Sequence, residues 1–508
     1  MRIRKTEILA LALGFLLPGC NHDSLSPAKP EMKDQPQVAA PTKSIGALNV
    51  REFGAVGDGK ADDTAAFQRA LTAASKMGGN TVLVPAGIYV ITAPVAIDAN
   101  CTLEGMGDSS VIKSGYPAGT NITSRSMVVM LNIVGHTNVR IAGLVFDANH
   151  ADAHVIRMEN GIDTVPLIIE NNRFVNLSLA SKENPSASSI AISLSGGRTF
   201  TRNNYCDGAA SDSFNYNNGW HLVENNIILN GQDGGIAFNN GAQGIISGNW
   251  IFNCDLGIGM GPPGNVEDSK NNSTTITGNT IEQCMLGIDM GWFGYKGAGA
   301  PRNWTITGNV FKNDACGDIN YDGPVKGFAA NGTITGNTSH CVGAKKHDNF
   351  RFLARKGSTQ SCFARLVNCN NVTMSGNTVV EPQSGGTLVN LMNDQNMIVA
   401  NNLFCTSDSP SPLTAILLEE TGRTTVSGNR LSGVFDFFIR GKSAAGLLSI
   451  HINDNVGEVY KINGIQIAGK LSDSEIINNR FVSDAASKTA AIDCPGADLS
   501  VIVKNLGQ

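Results

Sequence analysis

From Ile169 onward the chain alternates short aliphatic or β-branched runs with a polar break, and the break recurs as one phrase: an aliphatic residue, a spacer, Gly or Asn, then Asn. It reads Ile169-Glu170-Asn171-Asn172, Val223-Glu224-Asn225-Asn226, Ile246-Ser247-Gly248-Asn249, Ile276-Thr277-Gly278-Asn279, Ile306-Thr307-Gly308-Asn309 and Ile334-Thr335-Gly336-Asn337. It continues as Met374-Ser375-Gly376-Asn377, Val399-Ala400-Asn401-Asn402, Val426-Ser427-Gly428-Asn429, Ile476-Ile477-Asn478-Asn479 and Ile502-Val503-Lys504-Asn505. Most intervals are roughly 22 to 30 residues, the period of a solenoid in which one coil of short strands cannot bury its apolar face alone.

The runs alternate with period two, as in Thr274-Thr275-Ile276-Thr277, so strands and not helical repeats are predicted. The aliphatic residue and the second residue after the Asn (Phe174, Ile251, Ile281, Phe311, Phe404, Phe481) flank a bend and point inward. Asn suits that bend, because it tolerates left-handed backbone angles and can bond along a column of its own kind at the strand spacing of about 4.8 Å. The repeated Asn is therefore read as structural. Fifty-seven Gly, 6% aromatic and 16% charged residues agree with many tight turns around an aliphatic interior. The fold class is all-β: a single-stranded parallel β-helix in one domain over residues 48–508, because a solenoid lengthens without a new core.

The N-terminus predicts export. Arg2, Arg4 and Lys5 precede an apolar run, Ile8 to Leu17, too short to span a membrane as a mature helix, and Pro18-Gly19-Cys20 follows. Residues 1–19 resemble a bacterial lipoprotein signal, which implies lipidation of Cys20, a membrane attachment through it and, with Asn21 in the next position, an outer-membrane destination. Residues 20–47, rich in Pro, Lys, Asp, Ser and Gln, read as a flexible tether. Loss of the signal moves the net charge from -5 to about -7, which gives no support to a nucleic-acid partner. Cys254 and Cys284, each five residues after a repeat Asn, are expected to stack as thiols or as one bridge; no Cys or His spacing indicates a metal site.

Val50-Arg51-Glu52-Phe53-Gly54-Ala55-Val56-Gly57-Asp58-Gly59, Ala61-Asp62-Asp63-Thr64-Ala65-Ala66-Phe67-Gln68, Gly78-Gly79 and Val82-Leu83-Val84-Pro85-Ala86-Gly87-Ile88-Tyr89 closely resemble the opening of the pectate-lyase superfamily. That superfamily includes polygalacturonase-like hydrolases, certain glucanases, alginate-epimerase-like enzymes and phage tailspikes. The resemblance implies that the β-helix is right-handed and pectin-lyase-like. Physically, Asp62 or Asp63 can cap a helix burying Ala66, Phe67, Ala70, Leu71, Ala74 and Met77 on one face, with Gly78-Gly79 ending it, so that it plugs the first coil. A turn and a helix cap account for Asp58, Asp62 and Asp63.

The family opening does not choose a reaction. Outward positions on successive coils stack, and Gln232–Phe238, Cys254–Met260 and Met285–Met290 align for that purpose. Asp233 and Asp255 stand three residues before an Ile, and Asp289 just after the next coil's Ile. Clustered carboxylates suit a nucleophile-and-acid pair, and a Ca2+ held between them serves a lyase equally well. Trp220, His221, Trp292, Tyr295, Arg302 and Trp304 are the candidate sugar-binding residues, with Lys296 to stabilise developing negative charge. The expected polysaccharide-processing enzyme is a glycoside hydrolase acting through Asp233, Asp255 and Asp289. The alternatives are a lyase or epimerase of uronate polymers, and a non-catalytic carbohydrate-binding or envelope lipoprotein. The polygalacturonase motifs Gly-His-Gly and Arg-Ile-Lys and the epimerase Asp-Pro-His are absent. A basic stretch, Lys345, Lys346, His347, Arg351, Arg355 and Lys356, is the second candidate for binding uronate carboxylates.

Overall fold

The computed structural model describes residues 46–504 apart from 118–127, 135–136, 163–165, 182–185, 262–272, 292–299, 315–316, 327, 341–360, 381–385, 407–412, 484–490 and 499–501. The signal, Cys20 and nearly all of the tether lie outside the described residues, as do Trp292, Tyr295, Lys296, the basic stretch and Asn505. The described residues form one compact unit.

Each coil contributes three strands. One coil runs Gln243–Ser247, Trp250–Phe252 and Leu256–Met260, and the next runs Thr274–Thr277, Thr280–Glu282 and Leu286–Met290. Each strand pairs in parallel with its counterpart one coil away, which generates three ladders, here A, B and C in chain order. Alternation decides what each ladder buries. In A, Ile246, Ile276, Ile306 and Ile334 are in register and fully buried, while Thr275 and Thr277 on either side of Ile276 face outward. Ile251, Ile281 and Phe311 stack likewise in B, and Ile258, Ile288 and Ile319 in C, so a single apolar core runs from Val50 to Phe481. The parallel β-helix expected from the period is the fold of the described coils.

The bend between A and B divides its labour between two residues. Gly248, Gly278, Gly308 and Gly336 hold φ between 62° and 64°, and where the phrase has Asn instead, Asn171, Asn225, Asn401 and Asn478 hold φ between 54° and 56°. The left-handed position is thus the first of the pair, which is why Gly and Asn exchange there. The second residue is a buried Asn, and its Nδ2 donates to Oδ1 of the Asn one coil on. The column runs Asn172, Asn204, Asn226, Asn249, Asn279, Asn309, Asn337, Asn377, Asn402, Asn429, Asn455, Asn479, with N···O distances of 2.9 to 3.2 Å. A second Nδ2 bond, to a ladder A carbonyl, satisfies the other donor, as from Asn279 to Ile246 at 2.9 Å.

The helix Thr64–Lys76 packs Ala66, Phe67, Ala70, Leu71 and Ala74 against the first coils. Met77 does not join that face: it follows the helix and is 62% exposed. The two aspartates share the work at the N-terminus. Asp62 accepts the Thr64 N–H at 3.0 Å, whereas Asp63 turns back to accept from Val56 and Gly57. Towards the other end, the strands Arg430–Lys442 and Val456–Ala468 run unbroken through the bend between B and C and fuse those ladders into one sheet.

Candidate functional site

The outer face of ladder C is where the candidate chemistry can be tested against register. Gly234 pairs with Leu256 and Leu256 with Leu286, so Asp233 and Asp255 fall on equivalent positions just before their strands, bound through Leu256 N donating to Asp233 O at 3.1 Å. Their backbones are therefore about one coil spacing, ~4.8 Å, apart. Asp289 does not complete the group. It pairs with Gly259, four residues beyond Asp255, and a rise of about 3.3 Å per residue separates the two by ~13 Å along the strand. The expected cluster of three carboxylates, and a Ca2+ site built from all three, is thus not assembled. Among the described residues no group of three or more His, Cys, Asp or Glu side chains could hold a metal ion.

Asp289 belongs instead to a different set. Its column continues through Asn320 to Arg365. Asn320 donates Nδ2–H to Asp289 Oδ1 at 2.7 Å, and Arg365 Nη1 donates to Asn320 Oδ1 at 2.9 Å and reaches Asp322 Oδ2 at 3.5 Å. Asp289 and Asn320 are each 1% exposed, whereas the Arg365 and Asp322 side chains keep 17% and 25% of their surface. Burial pushes the Asp322 carboxyl above its ordinary range, and the Arg365 guanidinium pulls it partly back. The two groups that reach solvent are therefore a guanidinium and a carboxyl of raised basicity, held from behind by an amide and a buried carboxylate. On the preceding coils the same column presents only Ala237 and Gly259, then Asn215, whose Nδ2 donates to Asp212 at 2.5 Å.

Of the candidate sugar-binding residues, the four that are described lie elsewhere. Trp304 is buried in ladder A, its ring 5.5 Å from that of Tyr321, because it shares the inward parity of Ile306. His221 is fully buried by the parity of Val223. Its Nδ1 bonds Thr199 Oγ1 at 2.8 Å, its Nε2 bonds Asn218 O, and burial depresses it to about 4. Trp220 is half-buried on the outer face of ladder A beneath the Arg198 guanidinium, and Arg302 stacks 4.1 Å over Phe328. These four residues do not line the ladder C face. Cys254 and Cys284 are buried free thiols, raised by burial in the case of Cys284.

A family profile described as rhamnogalacturonase A/epimerase, pectate lyase-like, matches residues 47–317, more than half of the chain. The chain belongs to that family. Shorter segments resemble Azotobacter vinelandii enzymes: alginate lyase 7, 34% identical over 107 residues, 21% of this chain and 11% of that protein, and mannuronan C5-epimerase AlgE4, 34% identical over 101 residues, 20% and 16%. The chain thus matches only a small part of these relatives' length. Among solved structures, the AlgE4 A-module aligns with 88% of this chain and 100% of its own at 15% identity and a TM-score of 0.40. Bacteriophage phi29 gene product 12 aligns with 89% and 57% at 14% identity and 0.49.

Proposed function

We propose that the protein processes an acidic polysaccharide on the outer face of ladder C, with Arg365 and Asp322 at the reacting sugar and proton abstraction at C5 as the key step. The observation that carries this reading is the Arg365–Asp322 pair at 3.5 Å, backed by Asn320 and Asp289. Arg365 pairs with the uronate carboxylate and stabilises the negative charge that develops on it. Asp322, ionised but of raised basicity, takes the C5 proton. The electron pair of the C5–H bond then either forms the C4–C5 double bond as the C4–O4 bond breaks and O4 takes a proton, or accepts a proton from the opposite face. The first outcome is a lyase reaction and the second an epimerisation. The segment similarity to an alginate lyase and to mannuronan C5-epimerases supports the same chemistry.

Glycosidic hydrolysis is the second reading, supported by the equivalent positions of Asp233 and the buried Asp255 on adjacent coils; carboxyl groups brought together there would leave one protonated as an acid. Incubation with alginate, polygalacturonate and neutral glucans in heavy water separates the readings. Unsaturated ends, whose C5 carries no hydrogen, indicate elimination and deuterium at C5 indicates epimerisation, so either supports proton abstraction; new reducing ends without either support hydrolysis. Binding with no product at all would overturn the enzymatic reading in favour of a carbohydrate-binding envelope protein.

For localisation, the lipoprotein-like signal supports attachment of the chain to the outer membrane through lipid on Cys20. Cys20→Ser is expected to move the protein from the membrane fraction to the soluble one, and unchanged retention would contradict the anchor.

A further inference from the structure

We infer that an open notch of about 500 Å3 bordered by Met392, Asn393, Glu419, Glu420, Lys442 and Ser443 is a distal subsite for an uncharged, hydroxyl-rich sugar of the same polymer. The inference rests on the reading of ladder C as the polymer face. The notch continues that face: Asp322 is in register with Val367, Val367 with Met392, Met392 with Glu419, and Glu419 with Lys442. At about 4.8 Å per coil, Glu419 stands ~14 Å from Asp322, within reach of a chain laid along the coils.

Two observations mark the notch as more than a gap between turns. Glu420 holds φ 51° at the turn where the two preceding coils place Asn368 and Asn393, with φ 58° and 57°. Left-handed backbone comes readily to Asn but is uncommon for Glu, and such outliers concentrate where a side chain has work. The fold in turn fixes that side chain: Glu420 Oε2 accepts from Ser443 Oγ at 2.6 Å and Oε1 from Ala444 N at 2.7 Å. The second observation is charge. Glu419 pairs with Lys442, and the hydrogen bonds from Ser443 Oγ and Ala444 N hold the Glu420 carboxyl below its ordinary range. A wall of two carboxylates, one ammonium, an amide and a hydroxyl offers acceptors and donors to sugar hydroxyls but no net cation for a uronate carboxylate, in contrast to Arg365.

The test compares catalysis on uronate oligomers, with and without a neutral sugar block, for the full chain and for Glu420→Gln, Glu420→Asn and Lys442→Met. If the notch binds, wild-type kcat/KM rises at least tenfold when a neutral block extends past the reacting uronate. Both Glu420 variants then reduce that advantage by tenfold or more. The Asn variant keeps the left-handed turn, so its loss cannot come from misfolding. An unchanged advantage in all three variants, or an equal gain from extension by uronate alone, would overturn the subsite. Absence of any turnover in wild type overturns the reaction proposed above, and the subsite is then read directly by affinity electrophoresis in immobilised xylan and mannan. Equal mobility of wild type and Glu420→Asn in those gels overturns it. Calcium-dependent melting shifts lost in Glu420→Gln, without sugar retardation, would reassign the notch to a cation and likewise overturn it.

Discussion

Asn320 joins Asp289 to Arg365: it donates to the Asp289 carboxylate at 2.7 Å and accepts from the Arg365 guanidinium at 2.9 Å. A side-chain amide can face an anion with its NH2 and a cation with its oxygen, so the buried carboxylate orients the guanidinium through it. Asp322→Asn is expected to lower kcat by about a thousandfold, the scale of lost general-base catalysis, with thermal unfolding nearly unchanged. Asn320→Ala acts through Arg365 and should cost about tenfold in kcat/KM. Weaker placement of the guanidinium lets the Asp322 carboxyl rise further, so the acid limb of the pH–rate profile should move to higher pH. An Asn320→Ala profile that keeps its position while activity falls would deny the positioning role.

The asparagine column sets a stability prediction. Asn279 donates to Asn309 and Ile246 and accepts from both the N–H and Nδ2 of Asn249, all at 2.9 Å. Asn279→Ala leaves buried partners on both neighbouring coils without it, and about 3 kcal/mol of destabilisation is expected by urea unfolding. A change below about 1 kcal/mol would mean that the column tolerates gaps.

Opposing groups shape stability against pH. Burial, then the neighbouring Asp318, holds the Asp314 carboxyl well above its ordinary range, and burial does the same to Asp394. These groups keep protons in the folded chain that the unfolded chain releases near pH 4, so their contribution is full below that pH and is lost as pH rises through their folded values. His154 and His221, both lowered to about 4 by burial, work the other way: their contribution is full above about 6.5 and is lost as pH falls towards 4. Asp314→Asn removes one titration and should flatten the decline in urea midpoint as pH rises above about 4; an unaltered slope would remove Asp314 from the account.

Trp304 supplies a packing test. A Cβ at Gly332 would lie 2.2 to 2.4 Å from three carbons of the Trp304 ring, closer than atoms pack. Gly332→Ala should therefore displace the indole, with a red-shifted emission and a loss of about 1–3 kcal/mol. Trp304→Phe, by contrast, should leave polysaccharide binding intact, since the ring faces the interior.

The period revealed the fold because each coil repeats the same two constraints, an inward aliphatic residue and a left-handed turn. It missed Asn204 and Asn455, where Thr201 takes the inward place of one phrase and Asp454, at φ 58°, the left-handed place of the other. The assignments of Trp304 and His221 failed for a reason already present in the chain: counting by twos from Ile306 and Val223 turns both inward, and clustering in sequence does not override that alternation. The same arithmetic sets Asp289 four residues beyond the place of Asp255. Arg365 was not legible, because it lies in the 40-residue gap between the Asn337 and Asn377 phrases, and only the register joins it to Asn320, 45 positions earlier.

The amide column has an electrical consequence. Backbone groups in a parallel ladder point alternately up and down the axis, and their dipoles largely cancel. The asparagine amides do not alternate: from Asn172 to Asn455 each sends one Nδ2–H toward the later coil, and from Asn204 to Asn479 each turns its Oδ1 toward the earlier one. Each carries a moment close to that of a peptide unit, about 3.5 D, and head-to-tail alignment sums them in a poorly screened interior. The solenoid is thus polarised along its length, positive toward the C-terminal coils, and the two opposite directions in which a charged chain can lie along it are not equivalent in energy.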